Sequence, residues 1–122
     1  MILRVRDRQS FQRLSRDGTR IRRASLWCIW CPNPDSSGLA VAFAIGRALA
    51  PAVTRNRLRR RLRAVLRELD RAEPLPPCLL LIGATTRTLE LTFEQLRAEL
   101  IAMVRQVREQ FPSNDPTPVC RA

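Results

Sequence analysis

Six arginines fall within the nine residues Arg55-Asn56-Arg57-Leu58-Arg59-Arg60-Arg61-Leu62-Arg63. A guanidinium stays protonated at any physiological pH, bonds a phosphate through parallel N–H groups and stacks on flat rings. A cluster of this density therefore suits a polyanion and not proton transfer. The rest of the chain offers little for catalysis. All 22 basic residues are Arg, and Lys, His and Tyr are absent from the 122 residues. Without imidazole there is no neutral-pH proton shuttle, no Ser–His or Cys–His pair and no histidine zinc site. Carboxylates and thiols remain, with no carboxylate cluster of the kind a metal-dependent nuclease needs. No catalytic residue is expected in the protein.

The charge is segregated. Residues 1–25 carry eight Arg against two Asp, residues 47–71 carry nine Arg against Glu68 and Asp70, and the remainder carries five Arg against seven acids. The net charge of +11 thus belongs to two segments, and the C-terminal part reads as scaffold. A GC-rich coding sequence would account for arginine in place of lysine, but not for the clustering. Charge of this size and placement points to a polyanionic partner.

With 45% apolar residues the chain can bury a core,. Its length fits one domain, expected over residues 1–112, with a polar, Pro-rich and disordered tail at 113–122. No apolar run approaches the roughly 18 residues of a membrane span, and charge interrupts Met1-Ile2-Leu3-Arg4-Val5-Arg6 too early for a secretory segment. Cys28, Cys31, Cys78 and Cys120 read as reduced thiols of a cytoplasmic protein. Cys28 and Cys31 have the spacing of half a zinc site. Residues three apart in a strand face opposite ways, however, and the other thiols are distant, so no metal site is expected.

These functional residues need elements to hold them. Asp7 and Gly18 bracket a first helix from Arg8 to Asp17 with Phe11 and Leu14 on one face. Arg20-Ile21-Arg22 alternates briefly, and Ser25-Leu26-Trp27-Cys28-Ile29-Trp30-Cys31 is a short aromatic strand before a turn at residues 32–38. In residues 39–45, Leu39, Val41, Phe43 and Ile45 form a core face, and Ala40, Ala42 and Ala44 leave the other face nearly flat. Pro51 opens a long amphipathic helix from Ala52 to about Arg71. On it Leu58, Leu62, Val65, Leu66 and Leu69 gather opposite Asn56, Arg59, Arg60, Arg63 and Arg67, with Arg57 and Arg61 at the flanks. Like charges one turn apart repel by a few tenths of a kcal/mol per pair, and a merely solvated face would mix signs. Cys78-Leu79-Leu80-Leu81-Ile82 is a buried strand by length and boundary, or a helix segment by its leucines. Thr92 and Gln95 have capping-box spacing at the start of a last helix, whose stripe is Phe93, Leu96, Leu100, Met103, Val104, Val107 and Phe111, ended by Pro112.

The nine-residue cluster resembles in full the Arg-Asn-Arg-x-(Lys or Arg)-Arg-x-x-Arg signature of the bacterial ribonuclease P protein component. Ala52-Val53 before it, Phe11 seven residues before Gly18-Thr19, and Leu91-Thr92-Phe93-Glu94 are similar to that family as well. The resemblance covers about residues 8–111. It implies an α+β fold: a two-layer αβββαβα domain with a four-stranded sheet and a left-handed βαβ crossover, ribosomal protein S5 domain 2-like. That handedness departs from the usual rule.

The implied function is that of a protein subunit binding the catalytic RNA of ribonuclease P and the 5′ leader of precursor tRNA. The RNA subunit performs the hydrolysis with magnesium it holds itself; no cofactor is expected on the protein alone, no obligate protein partner and no membrane. Arg55, Asn56, Arg57, Arg59, Arg60, Arg63 and Arg67 are the implied contacts to RNA, Asn56 serving equally well as a local cap. Phe11, Trp27 and Arg47 are the implied leader-cleft residues. The family's cleft-facing aromatic position falls on Ile29, so alternation puts Trp27 on the cleft face and Trp30 on the other. The chain departs from the family at Gly46-Arg47-Ala48-Leu49-Ala50-Pro51, where only Arg47 is basic. It departs again at Gly83-Ala84-Thr85, where Arg87 is the nearest basic substitute, and at Ser15, where an aromatic is common. The alternative reading is a ribosomal or general single-stranded RNA-binding protein. A DNA-binding module would need a recognition helix with base-reading side chains.

Overall fold

The structure is a computed structural model that describes residues 2–5, 7–33 and 38–111. Most of the turn expected at 32–38, the tail at 113–122, Pro112 and Cys120 lie outside the described residues. Asp7 caps the first helix, α1 (Arg8–Asp17), its carboxylate accepting the Ser10 amide at 3.0 Å,. Gly18 closes α1 with its amide on the Leu14 carbonyl at 3.0 Å. Space, not a left-handed backbone, requires this glycine: φ is −75°, and a Cβ would run into that carbonyl and the Ile29 side chain.

The strands are β1 (Leu3–Arg4), β2 (Thr19–Arg22), β3 (Leu26–Pro32), β4 (Ala40–Ala44) and β5 (Cys78–Ala84), in the spatial order β1-β4-β5-β3-β2. β2 and β5 pair antiparallel with β3, while β1 and β5 pair parallel with β4. α2 (Ala52–Ala72) is the crossover between the parallel neighbours β4 and β5, and α3 (Phe93–Gln110) follows a 3₁₀ turn at Thr86–Glu90. The sheet therefore has five strands where the sequence pattern gives four. The addition, β1, is held by Leu3 N–H on the Leu39 carbonyl at 2.7 Å and Val5 N–H on the Val41 carbonyl at 3.0 Å. β5 is a strand, not a helix segment, and runs through Gly83 to Ala84.

Period-two alternation divides the side chains between two cores. Leu26, Cys28 and Trp30 of β3, Val41 of β4, and Cys78, Leu80 and Ile82 of β5 meet Leu58, Leu62, Val65 and Leu66 of α2 and Leu96, Leu100, Met103, Val104 and Val107 of α3. Full burial of each such leucine or valine contributes about 1.5–3 kcal/mol. On the opposite face Leu14 of α1 packs with Val5, Cys31, Ala40, Ala42 and Leu79. Trp30 is 3% exposed, its indole N–H donating to Gln110 Oε1 at 3.3 Å and its ring 5.8 Å from Phe111. Phe93 departs from its expected place in the α3 stripe. It is 40% exposed, at the first position of the helix, and its ring lies against the Arg61 guanidinium instead, 6.0 Å from the ring centre. No helix among the described residues is long and apolar enough to cross a membrane.

Candidate RNA-binding surface

α2 starts with no side-chain cap at Pro51, so other groups must fix its first turn,. Arg55 Nε donates to the Ala50 carbonyl at 3.0 Å, and Arg59 donates to the Ile45 carbonyl at 3.1 Å and to Asn56 Oδ1 at 3.1 Å. These two arginines and Asn56 tie the helix to the connection that leaves β4. Asn56 does so by orienting Arg59, not by capping the backbone.

Past that anchor the ridge is open. Arg57, Arg60 and Arg67 are exposed, while Arg61 and Arg63 are half-buried because each lies on an aromatic ring. Arg63 sits 5.2 Å from the centre of Phe43,. Neither acid of α2 neutralises these groups. Glu68 pairs with Arg97 of α3, whose hydrogen bond holds the carboxyl below the usual range, and Asp70 accepts the Leu75 amide at 2.9 Å. Burial first, then the charges of Arg4, Arg67 and Arg59, lowers the proton affinity of Arg63.

The α1 side of the sheet forms the second part of the surface. Strand register arranges it in rows. Arg22, Trp27, Gly83 and Ala44 make one, and Arg20, Ile29, Leu81 and Ala42 the next. α1 packs through Leu14 on the following row, Cys31, Leu79 and Ala40, and leaves Ile29, Leu81, Trp27 and Ala44 partly accessible. The result is a shallow trough with an apolar floor. The Trp27 ring lies across Gly83, where any Cβ would collide with it, and the Arg20 guanidinium is 5.5 Å from the ring centre. Phe11 is 39% exposed on α1, one turn before Leu14. Arg47 is exposed on the turn that leaves β4, at the Ala44 end. Trp27 and Trp30 point to opposite faces, the arrangement expected from alternation. Gly46 faces open space, whereas at Gly83 the missing side chain makes room for the Trp27 ring.

Arg20, Arg22 and Gly83 are not among the expected site residues, although the Arg-Ile-Arg alternation, with Ile21 in the core, places both arginines on the trough side. Among the described residues no three His, Cys, Asp or Glu side chains converge on a position where a metal ion could sit.

Sequence comparisons place the chain in one family, and structure comparison gives its fold. The profile of the family described as Ribonuclease P matches residues 2–109. The Ribonuclease P protein component of Micrococcus luteus is 32% identical over 121 residues, covering 90% of this chain and 92% of the relative. That of a Synechococcus strain is 36% identical over 112 residues, covering 84% and 80%. The solved RNase P protein from Thermotoga maritima superimposes with a TM-score of 0.74 at 18% identity, over 84% of this chain and 96% of that one, which carries the fold. An arginine helix packed on the core face of a five-stranded sheet, with the flat face turned to α1, is in this chain the build of a member of the Ribonuclease P family, to which it belongs.

Proposed function

We infer that the chain acts as the protein component of ribonuclease P, using α2 to bind the catalytic RNA and the trough to bind the single-stranded 5′ leader of precursor tRNA. The carrying observation is the uncompensated ridge: Arg57, Arg60, Arg63 and Arg67 lie opposite Leu58, Leu62, Val65 and Leu66, and both acids of the helix are engaged elsewhere. Such a face lowers the free energy of a nearby phosphate backbone by releasing its condensed counterions. The trough suits an unpaired strand, because Trp27 and Phe11 offer ring faces for bases and Arg20, Arg22 and Arg47 offer charge for phosphates,. Arg55, Asn56 and Arg59 support this role by fixing the helix.

Magnesium is a hard ion that takes oxygen ligands, several of them water and one or two of them carboxylates. Among the described residues no three acids converge on one position, and we assign magnesium and the hydrolytic step to the RNA subunit. The buried thiols Cys28, Cys31 and Cys78 support a reducing, cytoplasmic setting,. Reconstitution tests the assignment. Protein free of RNA should leave precursor tRNA intact, and adding it to a bacterial ribonuclease P RNA at low magnesium should restore 5′ cleavage. Cleavage by the protein alone, or no gain on adding it to the RNA, overturns it.

A further inference from the structure

The edge strand β1 brings one more guanidinium to the flank of α2. Alternation sends Ile2 and Arg4 to the α2 side of the sheet, Ile2 packing on the main core, while Val5 turns to the α1 side,. Ile2, Leu3, Arg4, Val41, Arg63 and Arg67 line a cavity of about 260 Å³. Arg63 and Arg67 stand one turn apart on one wall, and Arg4 reaches in from the other. No carboxylate lines the cavity, and none of these three side chains makes a hydrogen bond or ion pair among the described residues. Phe43 holds the Arg63 guanidinium by its face, which leaves the N–H edges for a ligand,.

We propose that Arg4, Arg63 and Arg67 form a half-open pocket for one phosphate group of an RNA chain, seated between the N-terminal strand and α2. The proposal rests on the reading of the chain as an RNA-binding protein and adds to it a discrete site with a residue outside the arginine helix. Three guanidinium groups on two walls call for acceptor oxygens spread in three dimensions. A tetrahedral phosphoryl group supplies them, and a planar carboxylate does not. An occupant also relieves the repulsion that Arg4 and Arg67 exert on Arg63. The oxygens of a backbone diester and of a terminal monoester share this chemistry.

The test is a titration of the ¹⁵N-labelled full chain with inorganic phosphate at constant ionic strength, followed at the arginine Nε–Hε signals. The signals of Arg4, Arg63 and Arg67 should move together and saturate. R4Q should weaken the affinity at least fivefold, and so should R67Q, which leaves β1 untouched; unshifted Leu3 and Val5 amides in R4Q show the strand in place. R105Q, on α3, should bind as the parent does. Short single-stranded RNAs with a 5′-phosphate or a 5′-hydroxyl then separate the sources: a terminal site is displaced by the first alone, a backbone site by both. Shifts that never saturate, an equal loss in R105Q, or displacement by neither RNA overturns the pocket. Such a failure leaves reconstituted cleavage standing, whereas a wild-type chain that binds phosphate but restores no cleavage overturns the functional reading alone.

Discussion

The Trp27 indole covers Gly83, its cross-strand partner on β5, so closely that no side chain can replace the glycine hydrogen. Gly83→Ala must lift the ring off the sheet. We expect a loss of roughly 1–3 kcal/mol from overpacking and a red-shifted Trp27 emission. Urea denaturation and fluorescence in a Trp30→Phe background measure both, and an unchanged midpoint and spectrum would show that the ring does not rest there.

With no Tyr in the chain, fluorescence reports the two tryptophans. Leader-length single-stranded RNA should quench the Trp30→Phe variant, whose remaining ring is Trp27, and barely alter the Trp27→Phe variant, whose remaining ring is in the core. Stacking on Trp27 contributes on the order of 1–3 kcal/mol per base. The reverse pattern would remove Trp27 from the leader site.

The arginines of α2 divide into two classes with different phenotypes. Arg57→Ala and Arg60→Ala, at exposed positions, should keep full stability and reduce the log–log salt slope of RNA-subunit binding by about 0.7–0.9 each. Arg55→Ala and Arg59→Ala break bonds to the Ala50 and Ile45 carbonyls and should cost roughly 1–3 kcal/mol of stability. Thermal melts beside salt-dependent affinities separate the classes; equal melts in all four variants would remove the anchoring role.

Burial pushes the Cys28 and Cys78 thiols up to about 12. An unfolded thiol ionises first as the pH rises, so the folded state then holds more protons and loses stability relative to the unfolded chain. Stability should be level below about pH 9 and fall above it by up to about 1.4 kcal/mol per pH unit for each thiol. Urea midpoints across that range measure the slope, which Cys28→Ala should reduce. A level profile through pH 11 or so would mean that the thiols ionise in place.

The residues that carry a period announce themselves. Leu58, Leu62, Val65 and Leu66 repeat at helical spacing over about two and a half turns, and the arginines opposite them follow from the same count. That Trp27 and Trp30 take opposite faces follows from strand alternation, while the choice of Trp27 for the cleft face comes from the family resemblance at Ile29. β1 has two residues and therefore no period to detect; its pairing depends on an edge of β4 that exists only in the folded sheet. The partners of Arg55 and Arg59 are backbone carbonyls of a loop, which any residue would supply, so the sequence could not distinguish these two from the arginines left for RNA. Gly83 reads as the end of a strand because glycine usually punctuates, and only the register with Trp27 reveals it as a space reserved for a ring.

β4 is constrained from both sides of one backbone layer. Phe43 must stay flat and apolar beneath Arg63, while Ala42 packs near Leu14 and Ala44 adjoins Gly83. A saturation library at positions 40–44, selected for function, should therefore tolerate size at every second position, with the small residues refusing any enlargement. A strand constrained on both faces in this way leaves evolution few neutral steps, since most changes to one face also shift the backbone beneath the other.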